Sequence, residues 1–254
     1  KSSRVDSFHE PEPTLEYFVN DSYHNPIALE SLFNAARQES IIKSYLNNNI
    51  YFESNQCLVF FAHAIKKVFP KAKFVHIIRE PIDFIISAAK KGWFVNDTIW
   101  EEGRVKPKTK QEEWSQRSQV DKLSWLWNET NQYIENFKDS LDTGDICTLR
   151  SEDLFSLPHV IEDLFHFMSV ESLPLDEIKQ LQKGKVNALI IGDDEPENMH
   201  KKEYFPPFCE WSEEDRNSVL KNVTKLAENY SYLIDETLAT PQTKIVYQMK
   251  RDLA

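Results

Sequence analysis

Between Lys73 and Lys91 the chain changes its hydrophobic period in one step, and that change constrains its fold more than any other feature. Lys73-Phe-Val-His-Ile-Ile78 is aromatic and β-branched, the pattern of a strand buried on both faces. Arg79-Glu80-Pro81 follows as a turn. Pro81 suits the first position of a helix because its φ is already helical, and Ile82 to Lys91 continues the helix. A buried strand that runs straight into a helix is a unit of parallel sheets.

Other segments repeat the alternation. Residues 27–46 carry Leu29, Leu32, Phe33, Ile41, Ile42 and Leu46 at helical spacing, and Ile50 to Phe52 reads as a short strand. Residues 56–68 return to helical spacing, which Pro70 ends. Trp114 to Phe137 is helical, Asp145 to Leu149 is a third strand, and residues 158–169 form a helix. Ser212 opens the last clear helix as N-cap, with Asp215 at its third position and a buried stripe of Val219, Val223, Leu226 and Tyr230. Residues 1–26 read as a helix end followed by a loop, and residues 95–113 as a polar surface loop. Residues 184–210 form a long loop rich in Gly, Asp, Pro and Asn. The pattern predicts an α/β fold, a parallel sheet flanked by helices on both faces in a single domain over residues 1–239, with a polar C-terminal tail at 240–254.

Composition narrows the function. With 41% apolar residues in 254, a sizeable core can form. No run of 18 apolar residues occurs, so no membrane segment is expected. The net charge of −11 argues against a nucleic-acid partner. Residues 66–91 depart from that balance, with seven basic residues against Glu80 and Asp83, which suggests a local anion site or a solvated basic face. Cys57, Cys147 and Cys209 are widely spaced and show no zinc-ligand pattern, so no metal is expected; Cys57 and Cys147 read as core residues. Sequons at Asn20, Asn96, Asn128, Asn222 and Asn229 permit a Golgi-lumen protein, although a cytoplasmic one is favoured.

The chemistry concentrates at the strand–helix join. Ligands of open parallel sheets bind at the carboxyl ends of the strands, where Arg79 falls. The next helix offers backbone N–H groups, and Ser87 lies eight residues after Arg79. An arginine fork and a serine hydroxyl can together hold a terminal phosphate. The same residues also fit a structural role, with Arg79 paired to Glu80 or Asp83 and Ser87 packing as a small helix residue.

Phe69-Pro70-x-Ala72-Lys73-Phe74, Arg79-Glu80-Pro81, Ser87 and Lys91-Gly92-Trp93 together resemble the 3′-phosphate-binding stretch of sulfotransferases that use 3′-phosphoadenosine 5′-phosphosulfate (PAPS). Glu80 stands where Asp is commoner. Weaker likenesses follow in order: Tyr51 to Asn55, Arg150-Ser151-Glu152-Asp153-Leu154 with Ser151 in place of a common Tyr, and Lys185-Val186-Asn187. The resemblance implies a P-loop-NTPase-like parallel sheet and a sulfuryl group moved in line from PAPS to a hydroxyl or amine of a small-molecule or carbohydrate acceptor. It leaves 3′,5′-adenosine bisphosphate as product and implies no metal. It places Arg79, Ser87 and Lys185 on the donor. It offers Glu10 as the base, with His9 beside it; Asn55 stands where other members carry a catalytic His and cannot act as a base. His63 and His76 read as packing residues. It also implies that the family's first strand and phosphosulfate-binding loop lie upstream of Lys1, with Lys1 to Pro11 matching the end of the first helix and the stretch after it. Two other classes stay open: another P-loop transferase, such as a small-molecule or nucleotide kinase, and a non-catalytic nucleotide-binding module.

Overall fold

A computed structural model describes residues 4–25, 29–95, 104–107, 111–183 and 205–234. Its contacts cluster into two compact units: residues 1–78, 100–108 and 133–192 form one, and residues 79–99, 109–132 and 193–254 the other. The chain passes from the first to the second at Ile78–Arg79, within the strand–turn–helix segment.

Among its described residues the first unit holds four strands in two parallel pairs. β1 (Val5–His9) lies beside β2 (Ile50–Ser54), with Val5 opposite Ile50 and His9 opposite Ser54. β3 (Phe74–Ile78) lies beside β4 (Ile146–Arg150), with Phe74 opposite Ile146 and Ile78 opposite Arg150. Parallel neighbours need a long crossover. Between β1 and β2 the crossover contains α1 (Val19–His24) and α2 (Leu29–Leu46), and α2 packs on β2. A 3₁₀ segment, Gln56–Phe61, leads into α3 (Ala62–Val68); Asn55 caps it by accepting the Cys57 N–H at 2.9 Å.

The second unit begins with α4 (Pro81–Lys90). α5 (Gln111–Gln116) and α6 (Gln119–Lys138) follow, the last turns of α6 belonging to the first unit. After β4 come α7 (Ser151–Ser156), α8 (Pro158–Phe167) and α9 (Leu175–Lys183), with α7 and α8 packed on β4. α10 (Glu213–Asn229) closes the second unit. Ser212 caps α10 by accepting the Asp215 N–H at 3.1 Å, and Val219, Val223, Leu226 and Ala227 form its buried stripe.

The parallel pairing and flanking helices match the expected α/β class. Several expectations need correction. Residues 1–26 are not a helix end and loop, because residues 5–9 form β1 and residues 19–24 form α1. Asp6, Ser7 and His9 hide the strand in the sequence, and pairing with β2 overrides that weak local signal. The strands make two hydrogen-bonded pairs among the described residues rather than one continuous sheet. β3 is not buried throughout: Ile78 is 1% exposed, but Ile77 is 49% exposed. The helix expected from Trp114 to Phe137 is broken after Gln116, since Ser118 accepts the Asp121 N–H at 3.1 Å and starts α6 afresh. Within the expected surface loop at 95–113, Val105 is fully buried. Cys57 is buried as expected, whereas Cys147 is half-buried. Lys185 and the tail at 240–254 lie outside the described residues.

Two sequon asparagines have structural work. The Asn20 amide donates to the Arg104 carbonyl at 3.0 Å and its oxygen accepts the Lys106 N–H at 2.9 Å. The Asn222 amide donates to Asp121 at 3.0 Å and Ser124 at 2.7 Å. No helix among the described residues is long and apolar enough to cross a membrane.

Candidate functional site

α4 is built to present one polar stripe. Pro81 occupies its first turn, and Pro81, Ile85, Ala88 and Ala89 are buried at helical spacing. The helix stops by backbone geometry. Gly92 takes φ +73°, its N–H reaches Ala89 O at 2.9 Å, and the Trp93 N–H reaches Ala88 O at 3.2 Å. This is the paired-bond stop that favours glycine in the left-handed region. The Lys91-Gly92-Trp93 signature therefore has a local structural cause.

Away from the buried stripe, Arg79, Asp83, Ile86, Ser87 and Lys90 line a cavity of about 440 Å³ together with Phe205 and Pro207. All seven residues belong to the second unit. The structure thus brings Arg79 and Ser87 to one cavity wall. The Arg79 backbone is fixed there, since its carbonyl accepts the Trp127 indole N–H at 3.0 Å. On the far wall, Phe205 meets Trp211 edge-on at 5.8 Å, and the Trp211 indole N–H donates to Pro206 O at 2.8 Å.

Arg79 is not consumed by its neighbours. The Glu80 carboxylate accepts the Asp83 N–H at 2.6 Å and so caps α4. That cap also takes one of the helix N–H groups expected to face a ligand. Among the described residues, the Arg79 guanidinium, Ser87 hydroxyl and Lys90 ammonium make no hydrogen bond or ion pair with protein. Three donor groups with unspent capacity on one wall suit an anion, and Ile86, Phe205 and Pro207 suit a flat apolar ring.

His9 and Glu10 lie in the first unit, at the carboxyl end of β1. The Glu10 N–H donates to Ser54 O at 3.0 Å, and His9 Nδ1 lies 3.3 Å from the same oxygen. Held so, a neutral His9 carries its proton on Nδ1 and leaves Nε2 free to accept. Glu10 adopts φ +44°, a left-handed conformation that a non-glycine residue rarely takes and that clusters at functional sites. Both side chains are exposed.

Behind them lies a buried polar cluster. Arg37 Nε donates to Glu53 at 2.8 Å, and Glu53 also accepts from Tyr51 at 2.6 Å and Asn55 at 3.1 Å. Burial and the Glu53 carboxylate raise the Tyr51 phenol well above its ordinary value. Nearby, burial and then the carboxylates of Glu16, Glu10 and Glu53 push the Cys57 thiol up to about 12, so it stays protonated. His76 packs as expected, whereas His63 is exposed. His63 stands edge-on to Phe137 at 4.8 Å, and His76 is 6% exposed.

Sequence reasoning missed Lys90, Asp83, Phe205 and Pro207. The helical period places Lys90 one turn beyond Ser87 and could have found it. Phe205 and Pro207 carry no comparable signal, because only folding brings them to α4.

Comparison with known proteins follows the same stretch. No curated protein matches the chain. Among solved structures, a sulfotransferase domain from the curacin biosynthetic pathway is similar, with 16% identity and a TM-score of 0.47. The match covers 86% of this chain and 78% of that one. A family model described as the sulfotransferase family matches residues 14–172, which include α4, Arg79 and Ser87. That match spans well over half the sequence, and the chain belongs to the sulfotransferase family.

Proposed function

We propose that the chain transfers a sulfuryl group from PAPS to a hydroxyl or amine of a small-molecule or carbohydrate acceptor. The observation that carries this is the pair Arg79 and Ser87 on one wall of the cavity, both with donors free of protein partners among the described residues. The donor set fits a terminal phosphate: a planar fork for two oxygens and a hydroxyl for a third. When bound, PAPS supplies the activated sulfuryl group and leaves as adenosine 3′,5′-bisphosphate.

The protein's share is positioning and proton handling. Arg79 and Ser87 anchor the 3′-phosphate and fix where the donor lies. Transfer forms a bond from the acceptor oxygen or nitrogen to sulfur and breaks the bond from sulfur to the bridging oxygen of the nucleotide. The acceptor's proton passes to the Glu10 carboxylate, with His9 Nε2 as the alternative base. Glu10→Gln should abolish turnover while leaving nucleotide binding intact; full turnover in that variant removes Glu10 from the role.

Calorimetric titration tests the donor class. Adenosine 3′,5′-bisphosphate should bind without added metal in the micromolar range, about −8 kcal/mol. Binding of ATP with Mg²⁺ instead would favour a kinase, and binding of neither would favour a non-catalytic module.

A further inference from the structure

The cavity beside α4 holds more charge than a single arginine clamp needs. Asp83 stands three and four residues before Ile86 and Ser87, and Lys90 four and three after them, so all four share one helix stripe. Two lysines end the helix, and they are not equivalent. The Lys91 ammonium lies 5.8 Å from the centre of the Trp93 ring, whereas Lys90 lines the cavity and has no protein partner among the described residues. Asp83 is equally unspent. Its backbone N–H serves the Glu80 cap, but its carboxylate makes no hydrogen bond or ion pair among the described residues. A carboxylate left in a cavity with two free cations opposes the binding of any anion there.

We propose that Lys90 is a second cation for the terminal phosphate and that Asp83 is a fixed opposing charge, so the balance of the two sets how tightly the bisphosphate product is held. This rests on the reading that the cavity takes a 3′-phosphate. Arg79 and Ser87 give the site its geometry, since a guanidinium fork and a helix hydroxyl are directional donors. Lys90 and Asp83 act through charge and need no fixed contact. The arrangement holds a doubly charged phosphate strongly enough to orient the donor and weakly enough to release the product.

The test is titration of adenosine 3′,5′-bisphosphate into the full-length protein and its Arg79→Ala, Lys90→Ala, Lys90→Arg, Asp83→Asn and Lys91→Ala variants, each first shown to be folded by thermal melting. Lys90→Ala should weaken binding by about threefold and Asp83→Asn should tighten it by about threefold, the scale of partly exposed charge pairs. Lys90→Arg and Lys91→Ala should bind like the parent protein. Both shifts should shrink in 1 M salt, where the screening length falls to about 3 Å. Equal affinity for parent, Lys90→Ala and Asp83→Asn, with Arg79→Ala still impaired, would overturn the charge balance and leave the proposed function standing. Failure of the parent protein to bind would overturn both.

Discussion

Arg37 and Arg79 are the same residue type in opposite states. Arg37 is 1% exposed, and its guanidinium is spent on Glu53 at 2.8 Å, Pro13 O at 2.8 Å and Ala36 O at 3.2 Å. Only its second terminal nitrogen is buried without a partner. Arg79 is exposed, lines a cavity and has no side-chain partner among the described residues. The cause lies in the nearest carboxylates. Glu53 points at Arg37, whereas Glu80, adjacent to Arg79, is committed to the first turn of α4. An arginine whose donors are satisfied by protein holds the fold together. One whose donors are left over is available for a ligand.

The comparison breaks most visibly at Arg37. Arg37→Ala leaves the Glu53 carboxylate buried with its cation gone, and should destabilise the protein by about 3–5 kcal/mol in urea unfolding. Replacing both partners with apolar residues, Arg37→Met with Glu53→Leu, should recover much of that loss, because no uncompensated charge remains. Arg79→Ala should do the reverse. The unfolding midpoint should stay unchanged, while affinity for adenosine 3′,5′-bisphosphate falls by about 2 kcal/mol, the scale of charge-assisted hydrogen bonds. If Arg79→Ala instead lowered stability as Arg37→Ala does, the two residues would not differ in kind.

Glu80→Ala sharpens the contrast. It removes the cap of α4 and should cost about 1 kcal/mol of stability. Nucleotide affinity should change less than twofold, since Arg79 does not lean on that carboxylate. A large gain in affinity would mean that Glu80 competes with the ligand for Arg79. The smallest effect belongs to the first unit alone. Partial desolvation lowers the pKa of His63 below its ordinary value of 6.5, although the ring is exposed on one side. A histidine whose folded pKa is depressed contributes stability above the unfolded pKa and loses it as pH falls through that value. His63→Phe should therefore flatten a slight loss of stability below about pH 6.5, read by thermal melting across pH.

What could be read from the sequence tracks how local each feature is. β3, the Pro81 start of α4 and the Ser212 cap of α10 are set by residues within a few positions, and the structure places all three elements where they were read, with β3 leaving Ile77 exposed. Arg79 and Ser87 fall on the expected strand–helix join for the same reason. β1 was not legible because Val5-Asp-Ser-Phe-His9 lacks a strand's apolar pattern and exists through its partner β2. The far wall of the cavity was illegible too, since nothing about Phe205-Pro206-Pro207 points to α4. The difference between Arg37 and Arg79 was hidden most completely. It depends on which carboxylate each guanidinium meets, and that is a property of packing rather than of spacing.

The claim that Arg79 holds a 3′-phosphate is tested most directly by removing the arginine and the phosphate separately and together. Affinities of the parent protein and Arg79→Ala would be measured for adenosine 3′,5′-bisphosphate and for adenosine 5′-monophosphate, which lacks the 3′-phosphate. The substitution should cost about 2 kcal/mol toward the bisphosphate and almost nothing toward the monophosphate, a coupling that assigns the contact to that group. An equal loss toward both nucleotides would contradict the assignment and place Arg79 on another part of the ligand.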